Sequence, residues 1–240
     1  MRTLISITLF MLISGLGYAQ QNPSAEAILQ ASTDYYKAVG DFEVSATYSV
    51  YRGLQKTELL GEDNTVSQRR GNNFYTQRTG VEYLVADGKL LTIDHNKKAM
   101  QLLVAPPESA GVSYLDVSAY LQYFEKKTVK DLGDRYRVYL STPILTQLPY
   151  TEVMMEFSKD NFALLKQDLL LASRAEYTDN EGNRKQDFKR LVITVNDFKT
   201  TGFSVNIGQL EVSHYAALRD SKWTPQEAFA GYRIIDKTIN

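Results

Sequence analysis

The clearest pattern in the sequence is the alternation of apolar and polar residues over residues 42–51, FEVSATYSVY. In an extended chain, residues two apart lie on the same side. The apolar positions that share one side are Val44, Ala46, Tyr48 and Val50. This period of two residues predicts a strand with one buried face.

A second pattern covers residues 81–104, VEYLVADGKLLTIDHNKKAMQLLV. Asp87 and Gly88 separate two apolar runs, and this pair favours a two-residue hairpin turn because glycine tolerates positive φ. Asn96 and Lys97 separate the second run from the third, and a pair of prolines then ends the pattern. The stretch therefore predicts three antiparallel strands in a meander.

Glycines and polar clusters divide much of the remaining chain into further short strands. The predicted strands lie at residues 57–60, 65–70, 73–79, 128–132, 136–141, 152–158, 164–171, 174–178 and 184–198. Between them we find no helix long enough to connect two parallel strands, so the pattern favours one large antiparallel sheet.

Three segments have helical signals. Residues 24–39 carry apolar side chains at helical spacing, with Ser24 placed as N-cap and Gly40 placed to end the helix. A second apolar stripe predicts a helix over residues 114–125. Near the end of the chain Thr224, followed by a proline, predicts the start of a third, short helix.

The first 19 residues predict a secretory signal peptide. Arg2 precedes an apolar run over residues 4–16, and small residues follow at the usual cleavage positions. The run is short for a membrane span. We therefore expect one mature domain over residues 20–240, soluble in the bacterial periplasm and without a lipid anchor.

Composition narrows the choice of partners. The chain has 27 basic and 28 acidic residues, a formal charge of -1, and no cysteine. Removing Arg2 with the signal peptide takes the balance to -2, and no block of like charge favours nucleic acid as a partner. Without cysteine the chain has no disulfide, no lipid-modified cysteine and no thiolate metal site.

Candidate catalytic residues are few. His95 and His214 are the only two histidines, and neither has the spacing of a metal-binding motif. Nucleophile elbows and phosphate-binding loops are missing from the sequence. We therefore predict no metal site, no cofactor and no enzyme activity, although the many carboxylates leave open a pair suited to glycoside hydrolysis.

Periodicity alone leaves two interpretations of the apolar strand positions. They form either an ordinary filled core or the wall of an apolar cavity, since the predicted helices are short and the sheet is large. A cavity of this kind would accommodate a lipid.

The N-terminal part resembles the LolA family of bacterial outer-membrane lipoprotein carriers. The resemblance rests on the order of a helix, the strand FEVSATYSV, the basic turn RRGNNFYTQ and the hairpin VADGKLLTI, within residues 25–104. The ending WTPQEAFAGYRIIDKTIN is similar to the closing segment of the family. The resemblance implies a mainly β (α+β) fold, a curved, incomplete antiparallel β-barrel with short helices over its concave face.

The same resemblance implies a function. Members of the family hold acyl chains in the barrel cavity and carry lipoproteins across the periplasm, from an inner-membrane donor to an outer-membrane acceptor. We therefore expect a monomeric lipid-binding carrier. The resemblance has no residue-level match over residues 126–205.

Site residues follow from the resemblance and the strand pattern together. Arg70 matches the family arginine that binds the lid and keeps the cavity closed, although Gly71 stands where a proline is common. The segments 24–39 and 114–125 are expected to form the lid. The residues expected to line the lipid cavity are Val44, Ala46, Tyr48, Val50 and Phe74.

Two other functions stay open. One is an envelope sensor similar to the RseB family, which uses the same half-barrel to bind a partner protein. The other is a hydrolase with an acidic pair in the cleft.

Overall fold

The computed structural model describes residues 23–105, 117–142, 148–179 and 181–238. The signal peptide predicted for residues 1–19 lies outside these residues. Among the described helices, none has the length and apolar character needed to cross a membrane.

The described residues form strands joined mostly by short turns. The strands are β1 Phe42–Arg52, β2 Glu58–Arg70, β3 Asn73–Arg78, β4 Val81–Ala86, β5 Lys89–Asp94, β6 Ala99–Val104, β7 Lys126–Asp131, β8 Arg135–Ser141, β9 Tyr150–Ser158, β10 Leu164–Thr178, β11 Arg184–Lys199, β12 Ala216–Arg219, β13 Lys222–Pro225 and β14 Arg233–Lys237. The helices are α1 Ala25–Val39 and α2 Val212–Tyr215, with 3-10 helices at Val117–Gln122, Ile207–Leu210 and Glu227–Phe229.

Twelve strands form one sheet in the order β14-β6-β5-β4-β3-β2-β1-β11-β10-β9-β8-β7, while β12 and β13 form a separate hairpin. The sheet is curved and does not close into a barrel, so the predicted mainly β half-barrel is confirmed. The antiparallel prediction is wrong for one pair, since β14 lies parallel to β6. Residues 203–232 pack against β3–β6 between the end of β11 and the start of β14. This long connection lets β14 join the edge strand β6 in the same direction.

The sheet has two covered faces, and strand register tells them apart. Residues directly opposite each other share a face. One row joins Val44 to Ser67, and the adjacent row joins Glu43 to Gln68 and then Tyr75. We call the face of Val44 the front face and the face of Glu43 the back face.

A separate apolar cluster covers each face. The front cluster joins α1 to the middle and the β7 side of the sheet through Ala25, Ile28, Leu29, Tyr36, Val44, Ala46, Val138, Leu140, Val153, Met155 and Ile193, among others. The back cluster joins β3–β6 to the segment 203–232 through Tyr75, Leu84, Leu91, Ile93, Met100, Leu102, Leu210, Val212 and Tyr215, among others. We call residues 203–232 the C-terminal cap.

Helix α1 forms as the sequence predicts. The Ser24 side chain accepts a hydrogen bond of 3.2 Å from the backbone N–H of Ala27, and Gly40 ends the helix at a φ of 74°. That positive φ suits a residue without a side chain. The buried residues form one stripe, which packs into the front cluster.

Two strand boundaries differ from the prediction. Residues 57–60 and 65–70 belong to one strand, β2, although Gly61 lies between them. Residues 164–171 and 174–178 likewise belong to β10, with an irregularity in register between Leu170 and Arg174. In both cases pairing with the neighbouring strands continues past a local interruption.

The later helix predictions are partly wrong. The described part of the predicted helix 114–125 is the 3-10 helix Val117–Gln122. Thr224, predicted as an N-cap, pairs with Ala217 in the β12–β13 hairpin, and its hydroxyl donates to the Ala217 carbonyl oxygen at 3.2 Å. The pairing removes Thr224 from the cap position, and the turn that follows is the 3-10 helix Glu227–Phe229.

Candidate functional site

A row of side chains that are apolar except for one arginine crosses the front face beside α1. It begins at Phe42 in β1, continues with Arg69 in β2 and then crosses β3, β4, β5 and β6. We call its last four residues the apolar row: Phe74, Val85, Leu90 and Leu103. With strands roughly 4.8 Å apart, these four side chains span about 14 Å.

The apolar row differs from both clusters in its burial. Each of its four side chains is half-buried, and none belongs to the front or back cluster. The next row on the same face is polar and includes a hydrogen bond of 2.9 Å between the Ser67 and Thr76 hydroxyls. The front face of β3–β6 therefore presents a narrow apolar strip bordered by polar groups.

Arg69 connects the apolar row to α1. Its Nε donates to the carbonyl oxygen of Gly40 and its Nη2 to that of Tyr36, both at 2.7 Å. The guanidinium carbon lies 5.0 Å from the centre of the Phe42 ring. A cation at this position donates to carbonyl oxygens that have no partner within the helix. It is also stabilised by the negative end of the helix dipole.

Burial lowers the pKa of Arg69 from its ordinary value, and the charge of Asp41 opposes that change. Arg69 stays protonated, since an arginine titrates far above physiological pH. The guanidinium is therefore a permanent, partly desolvated charge at the end of α1. Its hydrogen bonds to the two carbonyl oxygens are charge-assisted and therefore stronger than bonds between neutral groups.

Arg70, predicted to hold the lid, lies on the other face. Its guanidinium carbon is 4.1 Å from the centre of the Phe203 ring, at the start of the C-terminal cap. Among the described residues, the arginine with hydrogen bonds to α1 is its neighbour Arg69. Side-chain alternation along β2 explains the difference, since adjacent residues point to opposite faces.

The five predicted cavity residues share the front face but not one environment. Val44 and Ala46 are 1% and 0% exposed within the front cluster. Val50 is half-buried beyond that cluster, and Phe74 belongs to the apolar row. The predicted residues in the front cluster are therefore covered together with α1, whereas Val50 and Phe74 lie outside that cluster and are only half-buried.

Tyr48 is the fifth predicted cavity residue, and it packs at the edge of the front cluster. The guanidinium carbon of Arg78 lies 5.5 Å from the centre of its ring. Burial raises the pKa of Tyr48 to about 12, against the charge of Arg78 and a hydrogen bond to Thr65, which lower it. Tyr48 is therefore a neutral phenol at physiological pH.

The back face carries a buried carboxylate that fixes the C-terminal cap. Oε2 of Glu82 accepts from the Tyr75 hydroxyl at 2.9 Å and from the Tyr215 hydroxyl at 2.6 Å. Oε1 of Glu82 lies 2.7 Å from Nε2 of His95, whose Nδ1 lies 2.9 Å from the Tyr232 hydroxyl. Sheet residues and cap residues thus share one hydrogen-bond network.

Burial also acts on the phenols of this network. It raises the pKa of both Tyr75 and Tyr215, and the neighbouring carboxylate of Glu82 raises each further because it disfavours a second negative charge. Both phenols therefore remain donors to Glu82 at physiological pH.

A second buried carboxylate holds the beginning of the cap. Glu43 accepts hydrogen bonds from the backbone N–H of Ser204 and from its hydroxyl, both at 2.7 Å, and from the N–H of Val205 at 3.1 Å. The Asn73 side chain donates to the carbonyl oxygen of Leu210 at 2.9 Å. Polar anchors therefore hold the cap at several separate points.

Both histidines contact residues that hold the C-terminal cap together. His95 belongs to the Glu82 network, and the His214 ring packs edge-on against Tyr215 and Phe229 at 4.8 and 5.9 Å. Within the described ranges, no three His, Asp or Glu side chains form a group that could hold a metal ion.

A recess of about 440 Å³ lies near the middle of the sheet. Polar residues supply most of its lining, beside the apolar Ala46 and Val66: they are Ser45, Asn64, Thr65, Gln77, Arg78, Thr79 and Asn196. An acyl chain favours apolar walls, so this recess is a poorer match for a lipid than the apolar row.

The sequence pattern predicted β1 and proposed Phe74 as a site residue, but it did not single out Arg69 or the other three residues of the apolar row. A signal for the row exists, since β4, β5 and β6 contain adjacent apolar residues instead of strict alternation. Apolar residues on both sides of a strand indicate that both faces are covered or used.

Comparisons with known proteins give likenesses in structure. No family model and no curated protein matches the sequence. An uncharacterized conserved protein from Thermus thermophilus is 8% identical, with coverage of 89% of this chain and 99% of that chain and a TM-score of 0.45.

Two further solved structures carry descriptive names. A LolA superfamily protein from Nitrosomonas europaea is 14% identical, with 75% of this chain and 95% of that chain covered and a TM-score of 0.35. The MucA/MucB complex from Pseudomonas aeruginosa contains a chain that is 11% identical, with 75% and 60% covered and a TM-score of 0.33. The fold expected from the resemblance, a curved and incomplete half-barrel that is mainly antiparallel, is the fold observed.

Proposed function

We propose that the protein is a lipid-binding carrier of the bacterial periplasm that holds an acyl chain on the front face, between α1 and the apolar row. One observation carries the proposal: Phe74, Val85, Leu90 and Leu103 form a half-buried apolar strip directly beside the end of a helix. Arg69 at the boundary fixes that helix end without closing the strip.

The free energy of lipid transfer makes an enclosed site necessary. Exposing an acyl chain to water costs about 0.8 kcal/mol per methylene, hence roughly 12 kcal/mol for a chain of about 15 carbons. A carrier must also release its cargo, which favours a loosely fitted site with a movable cover over a tight pocket. Helix α1, attached mainly by apolar packing, suits the role of cover.

The proposal extends to cargo and partners. The cargo is a lipoprotein or another acylated lipid, received from an inner-membrane donor and passed to an outer-membrane acceptor. The chain carries out no reaction in this role, and Val44, Ala46, Tyr48 and Val50 extend the apolar wall when α1 lifts.

Two neighbouring residues of β6 provide a matched test. Leu103 lies in the apolar row, whereas Val104 pairs with Lys89, one position along, and is 62% exposed. Native mass spectrometry of the chain with a triacylated lipopeptide measures binding directly. We expect Leu103→Glu to lose at least tenfold in affinity, because the row would then carry a charge, and Val104→Glu to bind like the wild type.

The outcome that contradicts the proposal is equally direct. If Leu103→Glu is folded and binds the lipopeptide as the wild type does, the apolar row is not the lipid site. If the wild type itself takes up no lipopeptide, the chain is not a lipid carrier.

A further inference from the structure

Two hydroxyl groups lie unpaired inside the front cluster. Ser32 and Thr33 are 0% and 5% exposed, and their hydroxyl oxygens have no hydrogen-bond partner among the described residues. Both belong to the buried stripe of α1, one turn from Leu29 on one side and from Tyr36 on the other. The two hydroxyls therefore lie in the middle of the buried stripe of α1.

Such groups are rare because they are unfavourable. A buried hydroxyl without a partner loses its hydrogen bonds to water and gains none in return. Serine or threonine within a helix usually bonds to a backbone carbonyl one turn earlier, and neither residue does so here. Alanine and valine would fill the same positions without this cost, so the hydroxyls are suited to a partner that arrives from outside.

The surroundings limit the chemistry of that partner. The neighbouring cluster is apolar, so a charged group would be desolvated without compensation. The cations that contact α1 already have partners: Arg69 donates to two carbonyls at its end, and Lys127 pairs with Glu26 at its start. The partner must therefore be neutral, must accept hydrogen bonds, and must be attached to apolar chains.

We infer that Ser32 and Thr33 bind the ester carbonyls of a diacyl glycerolipid, including the diacylglyceryl group of a lipoprotein. This inference rests on the proposed carrier function and adds the substrate class. An ester carbonyl accepts hydrogen bonds and carries no charge, and in such a lipid it lies next to the acyl chain. Two adjacent hydroxyls match the two esters of one glycerol unit.

The position of the pair also gives α1 a reason to move. In the closed state the helix buries both hydroxyls unpaired, and in the lipid-bound state each gains an acceptor. The unpaired hydroxyls raise the free energy of the closed state relative to the lipid-bound state. A ligand can shift an equilibrium between two states only if it interacts more favourably with one of them, and the hydroxyls supply such a difference.

The test compares two lipids that differ only in the carbonyl. A diacyl glycerolipid and the dialkyl ether analogue with the same chain length are each titrated into the full chain, and binding is followed by native mass spectrometry. We expect the wild type to prefer the ester lipid by about tenfold, equivalent to about 1.4 kcal/mol. The double variant Ser32→Ala/Thr33→Val should bind both lipids equally, at the affinity that the wild type shows for the ether.

A buried hydroxyl that already has a partner provides the control. Ser67 is 1% exposed on the same face and bonds to Thr76, so Ser67→Ala should keep the ester preference. Without lipid, the urea midpoint should fall in Ser67→Ala and stay unchanged or rise in the double variant. A purely structural role for Ser32 and Thr33 predicts a lower midpoint there as well.

The results separate this inference from the proposed function. Equal binding of both lipids by the wild type, or an ester preference that survives in the double variant, overturns the hydroxyl site and leaves the carrier intact. Failure of the wild type to bind either lipid overturns both.

Discussion

The front and back faces of the sheet are covered in different ways. On the back, buried carboxylates at Glu43 and Glu82 hold the C-terminal cap through hydrogen bonds to backbone and side-chain groups. On the front, α1 is attached by apolar packing, by the two hydrogen bonds of Arg69, and by one from the Leu164 N–H to the Tyr36 hydroxyl. An ion pair between Lys127 and Glu26 and a hydrogen bond from Asn161 to the Tyr35 hydroxyl add exposed contacts.

The difference indicates a division of roles. Hydrogen bonds to buried charges are directional and costly to break, whereas apolar packing tolerates sliding and repacking. The unpaired hydroxyls of Ser32 and Thr33 lower the advantage of the closed front still further. We therefore expect the back to remain fixed while the front opens.

Glu82→Gln should have the largest effect. The buried carboxylate accepts from Tyr75 and Tyr215 and contacts His95, and an amide replaces one acceptor oxygen by a donor. We expect the free energy of unfolding to fall by about 3 kcal/mol in urea denaturation. Glu125→Gln, at an exposed position, is the control and should change little. A loss below about 0.5 kcal/mol for Glu82→Gln would show that the network does not fix the cap.

Arg69→Ala should loosen the front cover. It removes both hydrogen bonds to the end of α1, so we expect a loss of about 2 kcal/mol in the free energy of unfolding and faster lipid uptake. Arg70→Ala is the matched control on the back face, where the side chain contacts Phe203. Uptake should then keep the wild-type rate. Equal acceleration in both variants would contradict the assignment of Arg69 to the cover.

Alkaline pH should destabilise the front through Tyr48. Burial raises its pKa to about 12 in the folded protein, above the value of about 10 in the unfolded chain. The folded state therefore holds the proton more tightly, so this contribution is full below pH 10 and is lost as the pH rises towards 12. Urea denaturation of Tyr48→Phe should show a shallower decline than the wild type over this range. Parallel declines would contradict the buried, neutral phenol.

Lys127→Ala should have the smallest effect. Lys127 Nζ lies 2.9 Å from Glu26 Oε1, and the two side chains are 26% and 51% exposed. Exposed ion pairs contribute little because water and salt screen them, so we expect a change below about 0.5 kcal/mol in the free energy of unfolding. A loss above about 1 kcal/mol would mean that charge pairing, and not apolar packing, holds the start of α1.

Local patterns predicted much of the fold. The caps of α1, the strand β1 and the turn at Asp87 are properties of neighbouring residues, and each was found where predicted. The single buried face predicted for β1 is wrong, because Glu43 and Ser49 on its other side are buried as well. The parallel pairing of β14 with β6 depends on residues more than 130 positions apart. No local pattern specifies a contact of that range.

The candidate site shows the same limit at the level of single side chains. Alternation placed Val44 and Ala46 on one face, but it could not tell which part of that face α1 would cover. The pair Arg69 and Arg70 looked equivalent in sequence, and the register of β2 with β1 decides which of them meets the helix. The hairpin that joins β1 to β2 sets that register, and its irregularity between Val50 and Tyr51 could not be read from the spacing of apolar residues.

We expect α1 to be the movable cover and the C-terminal cap to be the fixed one. Hydrogen exchange followed by mass spectrometry, with and without a bound triacylated lipopeptide, tests it most directly. In the free protein, amides of α1 should exchange faster than those of the back cluster. Lipid should change exchange in α1 and β3–β6 and leave residues 203–232 unchanged. Faster exchange in the cap, or a lipid-induced change confined to it, would contradict the assignment of α1 as the movable cover.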